Sequence, residues 1–285
     1  MPISESSVSR SLKAWLDFGE EYLTQKGIPD PKTDAWMLLE YAANLTRSYY
    51  FLHRNEPMDE KDAEDYFALL KKRGTHVPVQ YITGEAWFYG NSFKVTPAVL
   101  IPRQDTEILV EEAEKRINPG MRILDMCTGS GCILLSLLKK RSITGVGADK
   151  SEEALAVAKE NADRLGVKAG WILTDLFENV GGTFDMILTN PPYIATGVIP
   201  TLDPEVKDHE PLMALDGRED GLFFEKKIAL EARQYLNRGG YLLAEIGYDQ
   251  GPALCAYMDS LGYSETQIVK DLAGNDRVVI GRMSS

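Results

Sequence analysis

The run Asn190-Pro191-Pro192-Tyr193 closes an apolar stretch at 184–189. Proline after Asn190 holds that asparagine extended. The prolines carry no N–H, so their carbonyls are free acceptors in a rigid loop. Asn190 adds a side-chain carbonyl, and Tyr193 adds a flat aromatic face. Together they suit a planar NH₂ group on an sp² carbon. Two acceptors hold its two hydrogens while the ring packs on its plane. A rigid structural turn is the plain alternative.

A second segment, Asp125-Met126-Cys127-Thr128-Gly129-Ser130-Gly131, lies between an expected strand and an expected helix. Glycines there let a ligand approach the backbone at a helix N-terminus. Asp149 follows 18 residues after Gly131, at the end of the next expected strand. An acidic residue there accepts ribose hydroxyl hydrogens in doubly wound sheets. Helix capping is its simpler role. The pair indicates a nucleoside but does not separate a nicotinamide dinucleotide from S-adenosylmethionine. Leu134, three residues after Gly131, breaks the full dinucleotide glycine pattern.

Alternating elements must position these groups. Strands are expected at 122–125, 143–149, 171–173, 184–190, 240–246, 264–270 and 277–281. Helices are expected at 105–117, 132–140, 151–165, 220–236 and 251–261. Such alternation builds a parallel sheet covered on both faces. The last two strands have no helix between them and should pair antiparallel. Before Gly74 the pattern is helical. Leu12, Leu16, Gly19 and Leu23 form one stripe, Ala35, Leu38, Leu39, Ala42 and Leu45 a second, and Ala63, Tyr66, Phe67 and Leu70 a third. Asp30-Pro31 is a start signal for the second. Residues 77–82 read as extended and 83–95 as an aromatic hairpin. The division is therefore an N-terminal helical bundle at 1–76, a hairpin linker at 77–95 and a catalytic domain at 96–285.

The chain has 285 residues, 44% of them hydrophobic and 26% charged, ordinary values for a globular protein. No apolar run approaches the roughly 20 residues of a membrane span, and Met1-Pro2-Ile3-Ser4-Glu5 does not resemble a signal peptide. A cytoplasmic protein without membrane partners is expected. With 31 basic and 43 acidic residues the net charge is −12, which disfavours direct nucleic-acid binding. Residues 1–73 carry 10 basic and 13 acidic residues, so the helical part is near neutral. Cys127, Cys132 and Cys255 read as small buried hydrophobes. His53, His76 and His209 are far apart, and no metal is expected.

The Asn190–Tyr193 loop with the glycine loop resembles the S-adenosylmethionine-dependent amino-methyltransferases. Further runs narrow the likeness: Pro78-Val79-Gln80-Tyr81-Ile82-Thr83-Gly84, Phe88-Tyr89-Gly90, Ile101-Pro102-Arg103-Gln104-Asp105-Thr106-Glu107, Asp175-Leu176-Phe177-Glu178, Ala214-Leu215-Asp216-Gly217, Glu245-Ile246-Gly247-Tyr248 and Lys270-Asp271-Leu272-Ala273-Gly274. These resemble the HemK/PrmC family, the peptide chain release factor N(5)-glutamine methyltransferases, over about 78–279.

The resemblance implies an α/β fold: a Rossmann-like class I methyltransferase sheet of seven strands, the last pair antiparallel, with a small N-terminal helical bundle. It implies methyl transfer from S-adenosyl-L-methionine to the glutamine amide of the release factors' Gly-Gly-Gln motif. The helical part would recognise the release factor, with Tyr49, Tyr50 and Phe51 as an aromatic contact surface, and the protein would act as a monomer. A sister activity on a ribosomal-protein glutamine and adenine-N(6) methylation of nucleic acid are the alternatives. Cys127, Thr128, Gly129, Ser130 and Gly131 would lie along the methionine part of the cofactor, Asp149 at the ribose, Leu176 at the adenine, and Asn190 near cofactor and substrate. Asn190, Pro191, Pro192 and Tyr193 would bind the substrate amide and carry the chemistry, with Arg103, Thr106 and Glu107 closing the site. The family usually has glycine where this chain has Cys127, so an ordinary negative φ or a shifted loop is expected there.

Overall fold

Ser11 opens the first helix, its hydroxyl accepting from the Ala14 N–H at 3.2 Å. The computed structural model describes residues 10–284. The residues Met1–Glu5 read above lie outside that range. The chain divides into two compact units between Gly84 and Glu85.

The first unit is helical: α1 (Leu12–Gln25), α2 (Pro31–Ala43), α3 (Arg47–His53), α4 (Glu60–Arg73) and α5 (Val79–Thr83). Asp30 caps α2 through the Thr33 N–H, with Pro31 at the first helical position. The three sequence stripes meet in one core that includes Leu23, Leu38, Leu39, Tyr66 and Leu70. Gly19 is required there, because a Cβ would stand 1.9 Å from the Tyr66 hydroxyl. A buried ion pair, Arg73 Nε to Asp34 Oδ2 at 2.6 Å, ties α4 to α2. Two expectations change. Residues 77–82 are not extended: Pro78 precedes the short helix α5, and Gly84 ends it in the left-handed conformation. Tyr50 is not a surface residue, since it is buried edge-on against Trp36. Tyr49, Phe51 and Leu52 of α3 are exposed.

The second unit begins with the hairpin β1 (Glu85–Phe88) and β2 (Asn91–Lys94). A 3-10 turn (Gln104–Thr106) leads into α6 (Glu107–Glu114), shorter than the expected 105–117. Then come β3 (Arg122–Met126), α7 (Cys132–Lys140), β4 (Thr144–Asp149), α8 (Glu152–Leu165), β5 (Gly170–Leu173) and β6 (Phe184–Thr189). The short helices α9 (Pro204–Lys207) and α10 (Leu212–Leu215) follow. The chain ends with α11 (Phe223–Ala232), β7 (Leu236–Glu245), α12 (Gly251–Ser260), β8 (Tyr263–Lys270) and β9 (Asp276–Met283).

Helix α11 is shorter than the expected 220–236, and β7 starts earlier than the expected 240. A register shift explains both: Phe184 pairs Leu236 while Met186 pairs Tyr241, so the Asn237–Gly240 segment bulges. Among the described residues the main sheet has seven strands, ordered β5-β4-β3-β6-β7-β9-β8. β3 through β7 pair in parallel, and β9 pairs antiparallel with both β7 and β8. The central strands are apolar on both faces. Leu124, Ile187 and Leu242 pack with α11 and α12. Ile123, Met186, Leu188 and Leu243 pack with α6 and α7. Among the described residues no helix is long and apolar enough to cross a membrane.

Candidate active site

Sheet register lines up the chemistry. Met126 pairs with Ala148 on one side and Thr189 on the other, and Thr189 pairs with Ala244. The next residue of each strand or its loop is therefore Asp149, Cys127, Asn190 or Glu245. These four stand in a row at the carboxyl edge of the sheet, around the point where strand order reverses. Open α/β sheets bind ligands there.

A cavity of about 550 Å³ opens at this edge, within the usual range for small-molecule sites. Cys127, Thr128, Gly129, Ser130, Asp149, Leu176, Asn190 and Pro192 lie on its wall, with Arg103 and Thr106. Gly131, Pro191, Tyr193 and Glu107 are not among its lining residues. Gly131 turns the chain into α7 at φ 79°, and a Cβ there would press on Leu135, Ala158 and Trp171 at 3.1–3.3 Å. Glu107 does not close the site: its carboxylate accepts the Tyr89 N–H at 2.7 Å in the hairpin turn. Arg103 forms an ion pair with buried Glu210.

Cys127 takes φ 61°, against the expected negative value. The loop keeps its glycine-type shape, and the cysteine carries the strain, about 1–2 kcal/mol for an L-residue. The Thr128 N–H bonds Ala148 O at 3.0 Å and holds that shape. The thiol's pKa is pushed up, first by burial and then by Asp149 and Asp125, so it stays protonated. Leu176, on the same wall, is likewise left-handed at φ 51°. Its carbonyl accepts from the Thr174 hydroxyl at 2.9 Å.

The glycine loop is braced from below. The Thr128 hydroxyl donates to buried Asp125 at 2.6 Å, so it points into the protein. Burial raises Asp125 to about 7, opposed by that hydrogen bond. Asn161, fully buried on α8, donates to Ser130 O at 2.9 Å and to Lys94 O at 3.0 Å. Asp149 accepts the Gly129 N–H on Oδ2 and the Ser151 N–H on Oδ1, both at 2.9 Å. Burial raises its pKa, and these N–H groups oppose the rise. It is not the cap of α8; Ser151 is, accepting from Ala154 at 3.1 Å.

These residues fit a nucleoside-bearing cofactor. A Cβ on Gly129 would meet nothing within 4 Å, so the space before this glycine is open to a ligand. Each Asp149 oxygen holds one N–H and keeps a lone pair for a ribose hydroxyl. Leu176 offers an apolar surface for a flat base.

The acceptor loop is fastened from three sides. Asn190 Nδ2 donates to Thr106 Oγ1 at 3.3 Å, which leaves Oδ1 as a free acceptor. The Tyr193 hydroxyl donates to Glu245 at 3.3 Å, so the ring is engaged behind the wall. The Tyr193 carbonyl accepts from Gln250 Nε2 at 2.9 Å, and the same nitrogen reaches Gly221 O at 3.2 Å. Ile194 N–H bonds Leu215 O, and Gly217 N–H bonds Ile194 O. Gly217 cannot carry a side chain, because a Cβ would lie 2.8 Å from Pro192 O. Sequence reasoning missed Gln250 and Asn161 and gave Glu245 no role. Each acts on residues far away in sequence, with no local pattern to mark it.

Comparison with known proteins follows the same lines. The PrmC N-terminal domain profile matches residues 14–84, and the methyltransferase small domain profile matches 103–201. A solved methyltransferase from Pyrococcus furiosus superposes with a TM-score of 0.54 at 20% identity, over 68% of this chain and 89% of that one. A T. thermophilus 16S rRNA N2 methyltransferase, solved with AdoMet and guanosine, gives 0.52 at 18% identity, over 70% and 49%. The fold is that of the class I methyltransferases. The release factor glutamine methyltransferase of Geobacter sulfurreducens is 38% identical over 96% of this chain and 97% of its own length. That of Caulobacter vibrioides is 41% identical over 95% of each. With this identity running through both units, the chain belongs to the release factor glutamine methyltransferase family.

Proposed function

We propose that this protein transfers a methyl group from S-adenosyl-L-methionine to the side-chain amide nitrogen of the glutamine in the Gly-Gly-Gln motif of class-1 peptide chain release factors. The observation that carries this is Asn190 on the cavity wall, its amide nitrogen held by Thr106. Its Oδ1 is left to accept a hydrogen from another amide.

Residues 127–130 and Asp149 hold the methionine and ribose parts of the cofactor, and Leu176 flanks the base. The bound cofactor supplies an electrophilic methyl on a sulfonium sulfur. An amide nitrogen is a poor nucleophile because its lone pair is delocalised. Positioning therefore does most of the work, and orienting two reactants supplies about 7–11 kcal/mol. Asn190 Oδ1 and the Pro191 carbonyl accept the two amide hydrogens and aim the nitrogen. They also stabilise the positive charge that grows on it. The nitrogen bonds the methyl carbon as the sulfur–carbon bond breaks, and it gives one proton to water. Pro192 and Tyr193 keep this loop in shape.

The helical unit reads the protein substrate, since a glutamine side chain alone is too small to identify a release factor. Exposed Tyr49, Phe51 and Leu52 of α3 form the contact surface. The net charge of −12 supports a protein substrate over nucleic acid. Release factors work in the cytoplasm, and the enzyme is placed there with them. The test is incubation with labelled S-adenosylmethionine and, separately, release factor, ribosomal proteins and DNA. Label should enter the release factor; label on DNA alone would overturn the assignment.

A further inference from the structure

The run Lys270-Asp271-Leu272-Ala273-Gly274 takes no part in holding the cofactor or the acceptor amide. It forms the turn between β8 and β9. Buried Asp271 builds that turn. Its Oδ1 accepts the Ala273 and Asn275 N–H groups at 3.0 and 2.9 Å. Its Oδ2 accepts from Arg277 at 3.0 Å and from the Asn275 side chain at 3.3 Å. The Asp271 N–H bonds Asn275 O at 2.8 Å, and the Gly274 N–H bonds Asp271 O at 3.0 Å. This much bonding fixes the backbone, yet Leu272, the large apolar side chain of the turn, is fully exposed. Tyr248, in the loop between β7 and α12, is 69% exposed. Its loop is braced too, because Gln250 takes the Gly247 N–H at 2.8 Å.

Sheet register brings the two loops together. Glu245 pairs with Val278, and the Ile246 N–H bonds Arg277 O at 3.0 Å. Lys270 pairs with Asp276. β9 is antiparallel to both neighbours, so it starts where β7 and β8 end. The Tyr248 loop and the Leu272 turn therefore emerge side by side, at the edge that carries Asn190. Strand order places the cofactor residues after β3 and β4, Asn190 after β6, and these two side chains beyond it. At two to three strand spacings, the turn lies about 10–15 Å from the acceptor strand. Both loops are tied to the acceptor. Gln250 holds Tyr193 O at 2.9 Å. Arg277 reaches Asp105 at 3.3 Å in the 3-10 turn, whose Thr106 holds Asn190.

Apolar residues scattered singly over a surface are ordinary. Tyr248 and Leu272 are not scattered: braced loops hold them out on one edge, next to the acceptor. We infer that they form a docking surface of the catalytic unit and grip the face of the release factor that surrounds its Gly-Gly-Gln loop. This inference rests on the proposed function. A partner whose glutamine enters at Asn190 must lay the surface around that glutamine over the neighbouring edge. Tyrosine is among the residues that anchor interfaces, and the rigid turn presents Leu272 without ordering a flexible loop on binding. The contact lies on the catalytic unit and is separate from the one read on α3.

The experiment measures kcat and KM on intact release factor and on a capped Gly-Gly-Gln tripeptide. That peptide is at most about 10 Å long and offers no flanking surface to grip. The double variant Tyr248→Ser, Leu272→Ser should raise KM on the intact factor about tenfold or more. Its kcat, its activity on the tripeptide and its Tm should stay near wild type, as should every property of Leu272→Met. In a second arm, the photocrosslinker p-benzoylphenylalanine replaces Leu272 in the full chain, with purified release factor added. Cross-links should fall on the face of the factor that carries the Gly-Gly-Gln loop. An unchanged KM on the intact factor would overturn the docking surface, and so would an equal loss on the tripeptide. Cross-links on a remote face of the factor, or only between copies of the enzyme, would overturn it too, even if the double variant failed to fold. A wild-type enzyme that leaves release factor unlabelled defeats the functional reading, and this partner with it. Labelled factor with a wild-type KM in the double variant defeats the docking surface alone.

Discussion

The backbone N–H of Gly129 donates to Asp149 Oδ2 at 2.9 Å, so the glycine loop and the acid of the next strand form one piece. Asp149 therefore has two tasks, shaping the loop and meeting the ribose. Asp149→Ala should weaken S-adenosylmethionine binding by about 1.5–3 kcal/mol, the scale of hydrogen bonds to a charged group, and should also lower Tm. Calorimetry with a 2′,3′-dideoxyribose analogue separates the two tasks. Wild type should prefer the natural cofactor, and the variant should bind both alike. A wild type indifferent to the ribose hydroxyls would reduce Asp149 to a loop brace.

Gln250, at the N-terminus of α12, reaches the acceptor loop. Its amide nitrogen holds Tyr193 O and Gly221 O, and its oxygen takes the Gly247 N–H at 2.8 Å. Gln250→Leu leaves these backbone groups unpaired, at about 1–3 kcal/mol each where no water replaces the bond. We expect a kcat loss of at least about tenfold with cofactor affinity little changed, since no cofactor-wall residue depends on Gln250. Equal losses in kcat and in cofactor binding would mean that the variant simply loosens the fold.

Much of this arrangement is legible in the sequence. The strand–helix alternation specified the sheet, because apolar runs such as 184–189 must be covered on both faces. Asp149 and Asn190 stand out in the sequence as candidate site residues because one ends and the other follows a strand beside a special loop. The rest depends on tertiary partners. Glu245 and Gln250, at and after the end of β7, reach the loop that follows β6, and Asn161 reaches 31 residues back to Ser130. No local periodicity encodes such contacts. Helix α5 departs from the extended reading because the Pro-Val-Gln-Tyr-Ile run has β-branched residues, while its left-handed stop at Gly84 carries the deciding geometry. At Cys127 the expected negative φ gives way because its loop tolerates strain in exchange for an unchanged backbone.

That strain is measurable. Cys127→Gly should be more stable than Cys127→Ala by about 1–2 kcal/mol, because glycine alone accepts φ 61° freely. Both variants lose the same thiol, so side-chain packing largely cancels between them. Urea unfolding of the pair checks it. Equal midpoints would show that Cys127 is relaxed.

On α3, Phe51 and Leu52 are apolar yet 65% and 80% exposed, with the Phe51 ring meeting Tyr50 edge-on at 5.7 Å. The double variant Phe51→Ser, Leu52→Ser should keep its Tm within a few degrees. If this face reads the release factor, kcat/KM on the intact factor should fall about tenfold or more, the scale of a buried apolar contact at an interface. On a short Gly-Gly-Gln peptide it should hardly change. Equal activity on the intact factor would remove α3 from recognition.

The central claim is that Asn190 presents a glutamine amide for methylation. Tandem mass spectrometry of release factor incubated with S-adenosylmethionine and either wild-type enzyme or Asn190→Ala tests it directly. Wild type should place one methyl on the side-chain nitrogen of the Gly-Gly-Gln glutamine. Asn190→Ala should leave that glutamine unmodified while still binding cofactor in calorimetry. A methyl at any other position, or near-normal modification by Asn190→Ala, would contradict the account.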